Sequence, residues 1–167
     1  MSSVELESDH TILDACCVLT LYGSRRIRET LACIPAQVAV TEFVVEKEAL
    51  RIYDGPEEDP TASKADLNLN PLVREGLLRV VSLRDEEMES FVRLAQLVDD
   101  GEARTLAIAA QRDWAVASDD RKAVRLARNE LDLSVRMTPQ ILKNWVDELE
   151  PPSDEIAAAI RNVETRA

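Results

Sequence analysis

Short apolar or alternating runs recur along this chain and predict strands at residues 11–13, 38–40, 78–83, 114–117 and 131–135. Amphipathic stretches with apolar residues at helical spacing lie between these runs. Strands that alternate with helices are usually joined by right-handed crossovers into a parallel sheet. The pattern therefore predicts an α/β fold, a three-layer α/β/α sandwich around a central, mainly parallel sheet.

The stretch at residues 99–128 (DDGEARTLAIAAQRDWAVASDDRKAVRLAR) predicts helix, strand and helix in succession. Asp99 or Asp100 begins the first helix, with Glu102 in its first turn. The strand ends at Ser118, where Asp119 and Asp120 cap the next helix. In an open α/β sheet, ligands bind at the carboxyl ends of the strands. The stretch therefore brings acidic residues to the edge where a binding site is expected.

The remaining helices are expected where apolar residues recur at helical spacing or a capping residue precedes them. They are predicted at residues 15–22, from 25 towards 33, at 42–53, at 71–76, from 85 into the central stretch, and from 138 onwards. Residues 1–9 are predicted to be a disordered N-terminus, residues 10–150 one domain, and residues 54–64 a surface loop. After Pro151 and Pro152, residues 151–167 are predicted to form an amphipathic helix that packs on the domain or against a partner.

Composition narrows the class of protein. The net charge of −12 argues against a protein that binds duplex DNA through a broad basic face. The acidic start MSSVELESDH lacks the apolar core of a signal peptide, and no apolar run approaches the roughly 18 residues of a membrane span. Three cysteines without CxxC spacing predict free thiols. We expect a cytoplasmic protein with no membrane partner.

Several common α/β chemistries are excluded by the residues present. With four glycines in the chain, there is no GxGxxG or GxxxxGK phosphate-binding loop. The single histidine, His10, lies before the first strand, which argues against a Ser-His-Asp triad. What remains is a set of carboxylates predicted at one sheet edge: Asp14, Glu46 or Glu42, Glu102, Asp119 and Asp120.

Carboxylates that gather at one edge repel one another unless a cation neutralises them. Mg²⁺ and other hard divalent cations prefer oxygen ligands, and a bound ion activates water for attack on a phosphodiester. Taken singly, Asp14, Glu102 and Asp120 each lie near a helix start, where acids also serve as caps. The set as a whole predicts a metal site.

The chain resembles PIN-domain proteins, the fold of VapC-type toxin ribonucleases. The resemblance covers about residues 10–140 and rests on four motifs. These are TILDA around Asp14, Ile34-Pro35 before the second strand, DGEA at residues 100–103 followed by LAIAA, and SDDRKA at residues 118–123. The last two motifs at this separation carry most of the resemblance.

The resemblance implies a Mg²⁺- or Mn²⁺-dependent endoribonuclease that is the toxin of a toxin–antitoxin pair. It assigns the first acid to Asp14, the third to Glu102, and the fourth to Asp119 or Asp120. The second is assigned to Glu46, one turn into its helix, with Glu42 as the alternative. The implied partners are RNA, an antitoxin protein and a second copy in a homodimer.

Arginines flanking the acids are the candidate RNA contacts. Arg25, with Arg26 and Arg28, is expected on one side, and Arg121, with Lys122, on the other.

Two alternatives of other classes remain at this stage. One is a non-catalytic PIN-like module that binds a partner, with the acids acting as helix caps. The other is a metal-dependent DNA nuclease or phosphatase that uses a similar acidic edge. Either would keep the same α/β architecture.

Overall fold

The computed structural model describes residues 8–48 and 50–167. Of the N-terminal tail predicted to be disordered, residues 1–7 lie outside the described residues. Ser8 and Asp9 are described, and both are bonded to the domain. The Ser8 hydroxyl donates to the Asp113 carbonyl at 3.0 Å, and the Asp9 carbonyl accepts from the Gln37 amide at 2.9 Å.

The main sheet is parallel, as the alternation of strands and helices predicts. In chain order the strands are β1 (His10–Leu13), β2 (Gln37–Thr41), β3 (Arg51–Tyr53), β4 (Lys64–Asp66), β5 (Arg79–Val81), β6 (Ala115–Ala117) and β7 (Val135–Arg136). The order across the main sheet is β5-β2-β1-β6-β7, and each neighbouring pair is parallel. β3 and β4 form a separate antiparallel hairpin.

Helices cover both faces of this sheet. They are α1 (Ala15–Gly23), α2 (Ile27–Ala32), α3 (Glu42–Glu46), α4 (Asn70–Arg74), α5 (Met88–Leu94), α6 (Asp100–Arg112), α7 (Arg121–Asn129), α8 (Thr138–Leu149) and α9 (Ser153–Arg166). Successive strand residues point to opposite faces, so Ile12 joins the core beneath α5–α7, whereas Leu13 joins the core beneath α1, α2, α4 and α8. The predicted three-layer arrangement is therefore present.

The predicted helix over residues 42–53 is wrong. α3 ends at Glu46, and after Lys47 the chain turns towards β3. Ile52 in β3 is buried and faces the α1 side of the core. β3 pairs with β4, so part of the surface loop predicted at residues 54–64 connects a hairpin. Pairing between residues so far apart is a tertiary preference that helical periodicity does not reveal.

Two other predicted elements are shorter in the structure. A 3₁₀ turn at Asp85–Glu87 precedes α5, which ends at Leu94, so no long helix runs into the central stretch. The strand predicted at residues 131–135 is reduced to β7, Val135–Arg136. Both segments remain packed on the α5–α7 face through Leu131, Leu133 and Phe91.

The C-terminal helix α9 packs on the domain itself. It contacts α1 and β3, and its Arg166 side chain is buried. That guanidinium donates to the Gly55 carbonyl at 2.8 Å and to the Tyr53 carbonyl at 3.4 Å, which ties α9 to the β3–β4 hairpin. Within the described residues, no helix has the length and apolar character needed to cross a membrane.

Candidate functional site

The carboxyl ends of β1 and β6 meet at the centre of the sheet. Asp14 follows β1, and Ser118, Asp119 and Asp120 follow β6. The Asp14 amide donates to the Ala117 carbonyl at 3.0 Å, which extends the ladder between the two strands by one bond. The tertiary structure therefore brings together acids that lie about a hundred positions apart in the chain.

Asp14 is the most deeply buried of these acids, with 4% of its surface exposed. It caps α1, and its Oδ1 accepts from the Cys17 amide at 2.9 Å. Its Oδ2 is buried and has no hydrogen-bond partner among the described residues. Burial raises the pKa of Asp14 to about 6, and the negative charges of Asp119 and Asp120 contribute to the rise. Among the described residues, no basic side chain forms an ion pair with this carboxylate.

The two acids after β6 play different local roles. Asp120 caps α7 by accepting from the Ala123 amide at 2.8 Å, and its own amide donates to the buried Ser118 hydroxyl at 3.2 Å. Asp119 accepts from the Thr138 amide at 2.7 Å and so connects the end of β6 to the start of α8. Both side chains are half-buried, and each uses only one of its two carboxylate oxygens in these bonds.

Glu102 adds a carboxylate from the first turn of α6. Asp99 caps this helix and accepts from the Glu102 amide at 2.8 Å. Burial raises the pKa of Glu102 to about 7, and the charges of Asp99, Asp120 and Asp14 add to the effect. The pKa shifts show that Glu102, Asp14 and Asp120 share one negative environment.

Glu48 joins this cluster, whereas Glu46 and Glu42 lie elsewhere. Burial raises the pKa of Glu48, and the charges of Asp99 and Asp14 add to that rise. Glu46 is exposed and lines a separate cavity with Glu42, which accepts a hydrogen bond from the Ser82 hydroxyl. Of the three glutamates on this segment, Glu48 is therefore the one whose pKa is raised by burial and by the charges of Asp99 and Asp14.

Glu48 reaches the cluster because α3 ends early and because Gly101 makes room. A Cβ added at Gly101 would overlap the Glu48 carboxylate. Glycine costs about 1 kcal/mol relative to alanine inside a helix, so a glycine in the first turn of α6 indicates a close approach by another group. Gly101 is therefore a sequence signal that some group packs closely against the start of α6. Only the structure identifies that group as the Glu48 carboxylate.

The candidate RNA-binding arginines occupy two different places. Arg121 is the first residue of α7, directly after Asp120, and is exposed beside the acids, as is Lys122. Arg25 lies beyond the other end of α1, whose nine residues rise about 13 Å from Asp14. Arg26 and Arg28, next to Arg25, form ion pairs with nearby glutamates. The structure places only Arg121 and Lys122 of this set at the acidic edge.

The cysteines near Asp14 are free thiols. Burial, together with the charges of Asp14 and Glu102, raises the pKa of Cys16 to about 11. Cys17 is buried, accepts a hydrogen bond from the Thr138 hydroxyl at 3.3 Å, and also has its pKa raised by burial. These raised pKa values favour the protonated thiols at neutral pH and disfavour thiolate chemistry at this edge.

The donor chemistry of this edge suits a hard divalent cation. Its side chains supply carboxylate oxygens, and the buried Asp14 Oδ2 has an unused hydrogen-bonding capacity that a cation would satisfy. In residues 8–48 and 50–167, no group of three or more His, Cys, Asp or Glu side chains is already arranged to hold a metal ion. Rotation of the half-buried acids is therefore required to complete such a site.

No protein-family model matches the chain, and a search of curated proteins finds no match to it.

Proposed function

We propose that this chain is a Mg²⁺- or Mn²⁺-dependent endoribonuclease of the PIN-domain type. The observation that carries the proposal is the convergence of Asp14, Glu102 and Asp120 at one sheet edge, where the charge of Asp120 adds to the rise in the pKa of Asp14 and the charges of Asp120 and Asp14 add to the rise in the pKa of Glu102. Acids that served only as helix caps would gain nothing from mutual repulsion at a single place. RNA is proposed as the substrate because the sequence motifs resemble those of PIN-domain ribonucleases.

In this proposal the acids have distinct roles. Asp14, Glu102 and Asp120 would hold the ion, and Asp119, which accepts from the Thr138 amide, would complete the site directly or through water. A bound divalent ion would lower the pKa of water and neutralise charge on the phosphodiester. Glu48, whose pKa is raised by burial and by the charges of Asp99 and Asp14, would accept the proton from the attacking water. Arg121 holds a phosphate beside the acids.

A cleavage assay on a fluorophore-labelled single-stranded RNA tests this proposal. We expect cleavage with Mn²⁺ that excess EDTA stops and that Asp14→Asn abolishes. Asn also caps helices, so this change keeps the Cys17 amide bond while removing the charge. Asp85→Asn, at an exposed acid in a 3₁₀ turn, is the matched control and retains activity. Undiminished cleavage by Asp14→Asn would exclude the proposed centre.

A second candidate is a non-catalytic partner-binding module. It is favoured by the absence, among the described residues, of acids already arranged around an ion position. Calorimetric titration with Mn²⁺ separates the two functions. The nuclease predicts binding that Asp14→Asn weakens, whereas the module predicts no binding at millimolar Mn²⁺.

The substrate and the biological role belong to the same proposal. Comparing products from RNA, single-stranded DNA and a phosphomonoester distinguishes the ribonuclease from a DNA nuclease or phosphatase. The resemblance further suggests a toxin that forms a homodimer and binds an antitoxin. Growth arrest on expression of the unaltered chain, but not of Asp14→Asn, would support the toxin role.

A further inference from the structure

Arg104 lies between two aromatic rings beside the acidic edge. Its guanidinium carbon is 4.8 Å from the centre of the Phe43 ring and 4.7 Å from the centre of the Phe91 ring. The two rings belong to α3 and α5, while Arg104 belongs to α6, so three elements hold this side chain. Two flanking rings restrict the direction in which the guanidinium can face.

Arg104 forms no ion pair within the part of the chain that the structure describes. No described carboxylate lies within ion-pair distance, and the buried Nε has no hydrogen-bond acceptor there. Ring faces attract a cation but accept no hydrogen bond in the plane of the guanidinium. The in-plane N–H groups, which suit an oxyanion, are the unused part of this side chain.

Arg104 lines a cavity of about 380 Å³. One wall is apolar and includes Val81, Leu83 and Met88, and the hydroxyl-bearing residues Thr41 and Ser82 also line it. Glu42, Glu46 and Lys47 contribute two negative charges and one positive charge, so Arg104 brings the lining to neutrality. A monoanion with an apolar portion fits this lining better than a dianion.

The cavity adjoins the acid cluster through Phe43. The Cε1 of Phe43 lies 3.4 Å from the Cβ position at Gly101, next to the Glu48 carboxylate. The same ring covers one face of Arg104. A nucleotide chain held at the acids therefore has a neighbouring cavity with a cationic donor and an apolar wall.

We propose that Arg104 binds a phosphodiester of the RNA strand next to the one cleaved, with the adjoining nucleoside against the apolar wall. This inference rests on the proposed ribonuclease function and names a positioning residue for its substrate. Contact with the two rings restricts the Arg104 side chain before binding, so less side-chain freedom is lost when the phosphate is bound.

Binding of single-stranded RNA to an uncleaving chain tests the inference. In an Asp14→Asn background, fluorescence anisotropy with a labelled RNA of about twelve nucleotides gives Kd at several salt concentrations. We expect Arg104→Met, which keeps an apolar chain between the rings, to raise Kd five- to tenfold. The slope of log affinity against log salt should fall by roughly 0.7, the value for one phosphate contact on a single strand. Arg93→Met, an exposed arginine on α5, should change neither quantity.

A second measurement uses the unaltered arginine and so does not depend on the fold of a variant. Ring currents from Phe43 and Phe91 should displace the Arg104 Nε–H resonance, and Arg104→Met assigns it by its loss. The resonance should shift on titration of the Asp14→Asn chain with RNA. A shift with an acidic peptide but not with RNA would overturn the inference in favour of a protein ligand.

The outcomes separate this inference from the proposed function. Cleavage of RNA by the unaltered chain, together with unchanged Kd and salt slope in Arg104→Met, overturns only the role of Arg104. RNA binding that depends on Arg104 in a chain without metal-dependent cleavage overturns the nuclease and retains the phosphate contact. Failure of the Asp14→Asn chain to bind RNA overturns the inference itself.

Discussion

Asp14 and Glu87 are both deeply buried carboxylates, but only Glu87 has a cation. Arg112 forms two bonds to Glu87, Nε to Oε1 at 2.6 Å and Nη2 to Oε2 at 3.1 Å, and the Arg84 amide adds a third at 2.8 Å. Although burial opposes the effect, these bonds lower the pKa of Glu87. Burial, with the charges of Asp119 and Asp120, raises the pKa of Asp14 against the opposing effects of the Ser118 hydroxyl and the Cys17 amide.

The presence or absence of an ion-pair partner distinguishes Glu87, which stabilises the fold, from the acids beside β1 and β6, which are suited to binding a ligand. A fully bonded ion pair holds α6 to the turn before α5, and it uses both carboxylate oxygens of Glu87. At the edge of β1 and β6 the negative charge is concentrated, and no acid of the cluster forms an ion pair among the described residues. Perturbed acids of the second kind are typical of functional sites. Four predictions test this comparison.

The largest effect on stability is expected when Glu87 loses its ion-pair partner, Arg112. Arg112→Met leaves a buried uncompensated carboxylate, so the free energy of unfolding should fall by about 3–5 kcal/mol. Urea unfolding at pH 7 measures this loss. The double variant Arg112→Met/Glu87→Gln should recover much of it, because the buried charge is then absent. A loss below about 1 kcal/mol in the single variant would contradict the view of Glu87 as a structural acid.

Removing the charge of Asp14 is expected to raise the free energy of unfolding, whereas removing the partner of Glu87 lowers it. Its pKa is about 6 in the folded chain against an ordinary value of 3.8, so the wild type loses stability as pH rises from about 4 through 6. Asp14→Asn should therefore unfold less readily at pH 8, by about 3 kcal/mol from the size of the shift. The difference should nearly vanish at pH 4. Urea midpoints across this range give the result, and an equal difference at both ends would contradict it.

A smaller effect is expected from filling the space beside Glu48. Gly101→Ala forces the Glu48 carboxylate away, and the gain in helix propensity offsets part of the strain, so stability should change by at most about 1 kcal/mol. Mn²⁺ affinity, measured by calorimetry, should fall about tenfold, as for other supporting residues of metal sites. Gly76→Ala is the control. Its φ of 75° predicts some strain, but its added Cβ meets no atom within 4 Å, so Mn²⁺ binding should persist.

The smallest effect is expected on RNA binding, when Arg121 or Arg25 is replaced. Arg121→Met should weaken binding of single-stranded RNA two- to fivefold through loss of one phosphate contact beside the acids. Arg25→Met should leave it unchanged, because Arg25 lies beyond the far end of α1. Anisotropy in the Asp14→Asn background compares the two. Equal weakening would indicate that RNA extends around α1 and that both predicted contacts are used.

Much of the architecture was predictable from local pattern. The apolar runs before Asp14 and Ser118 become β1 and β6, since buried parallel strands are apolar on both faces. The capping acids Asp99 and Asp120 begin α6 and α7 as expected. The helix predicted at residues 42–53 failed because β3 is stabilised by β4 and by burial of Ile52, neither of which is local.

For the candidate site, the sequence alone determined which acids end strands or begin helices, because capping and strand termination depend on neighbouring residues. Only the tertiary structure decided that Glu48, rather than Glu46 or Glu42, joins Asp14 and Glu102. It also decided that Arg25 lies away from them and that Arg104 is held between Phe43 and Phe91. Electrostatic environment depends on distance in space, and a turn of two residues after α3 is enough to change which carboxylate enters the cluster.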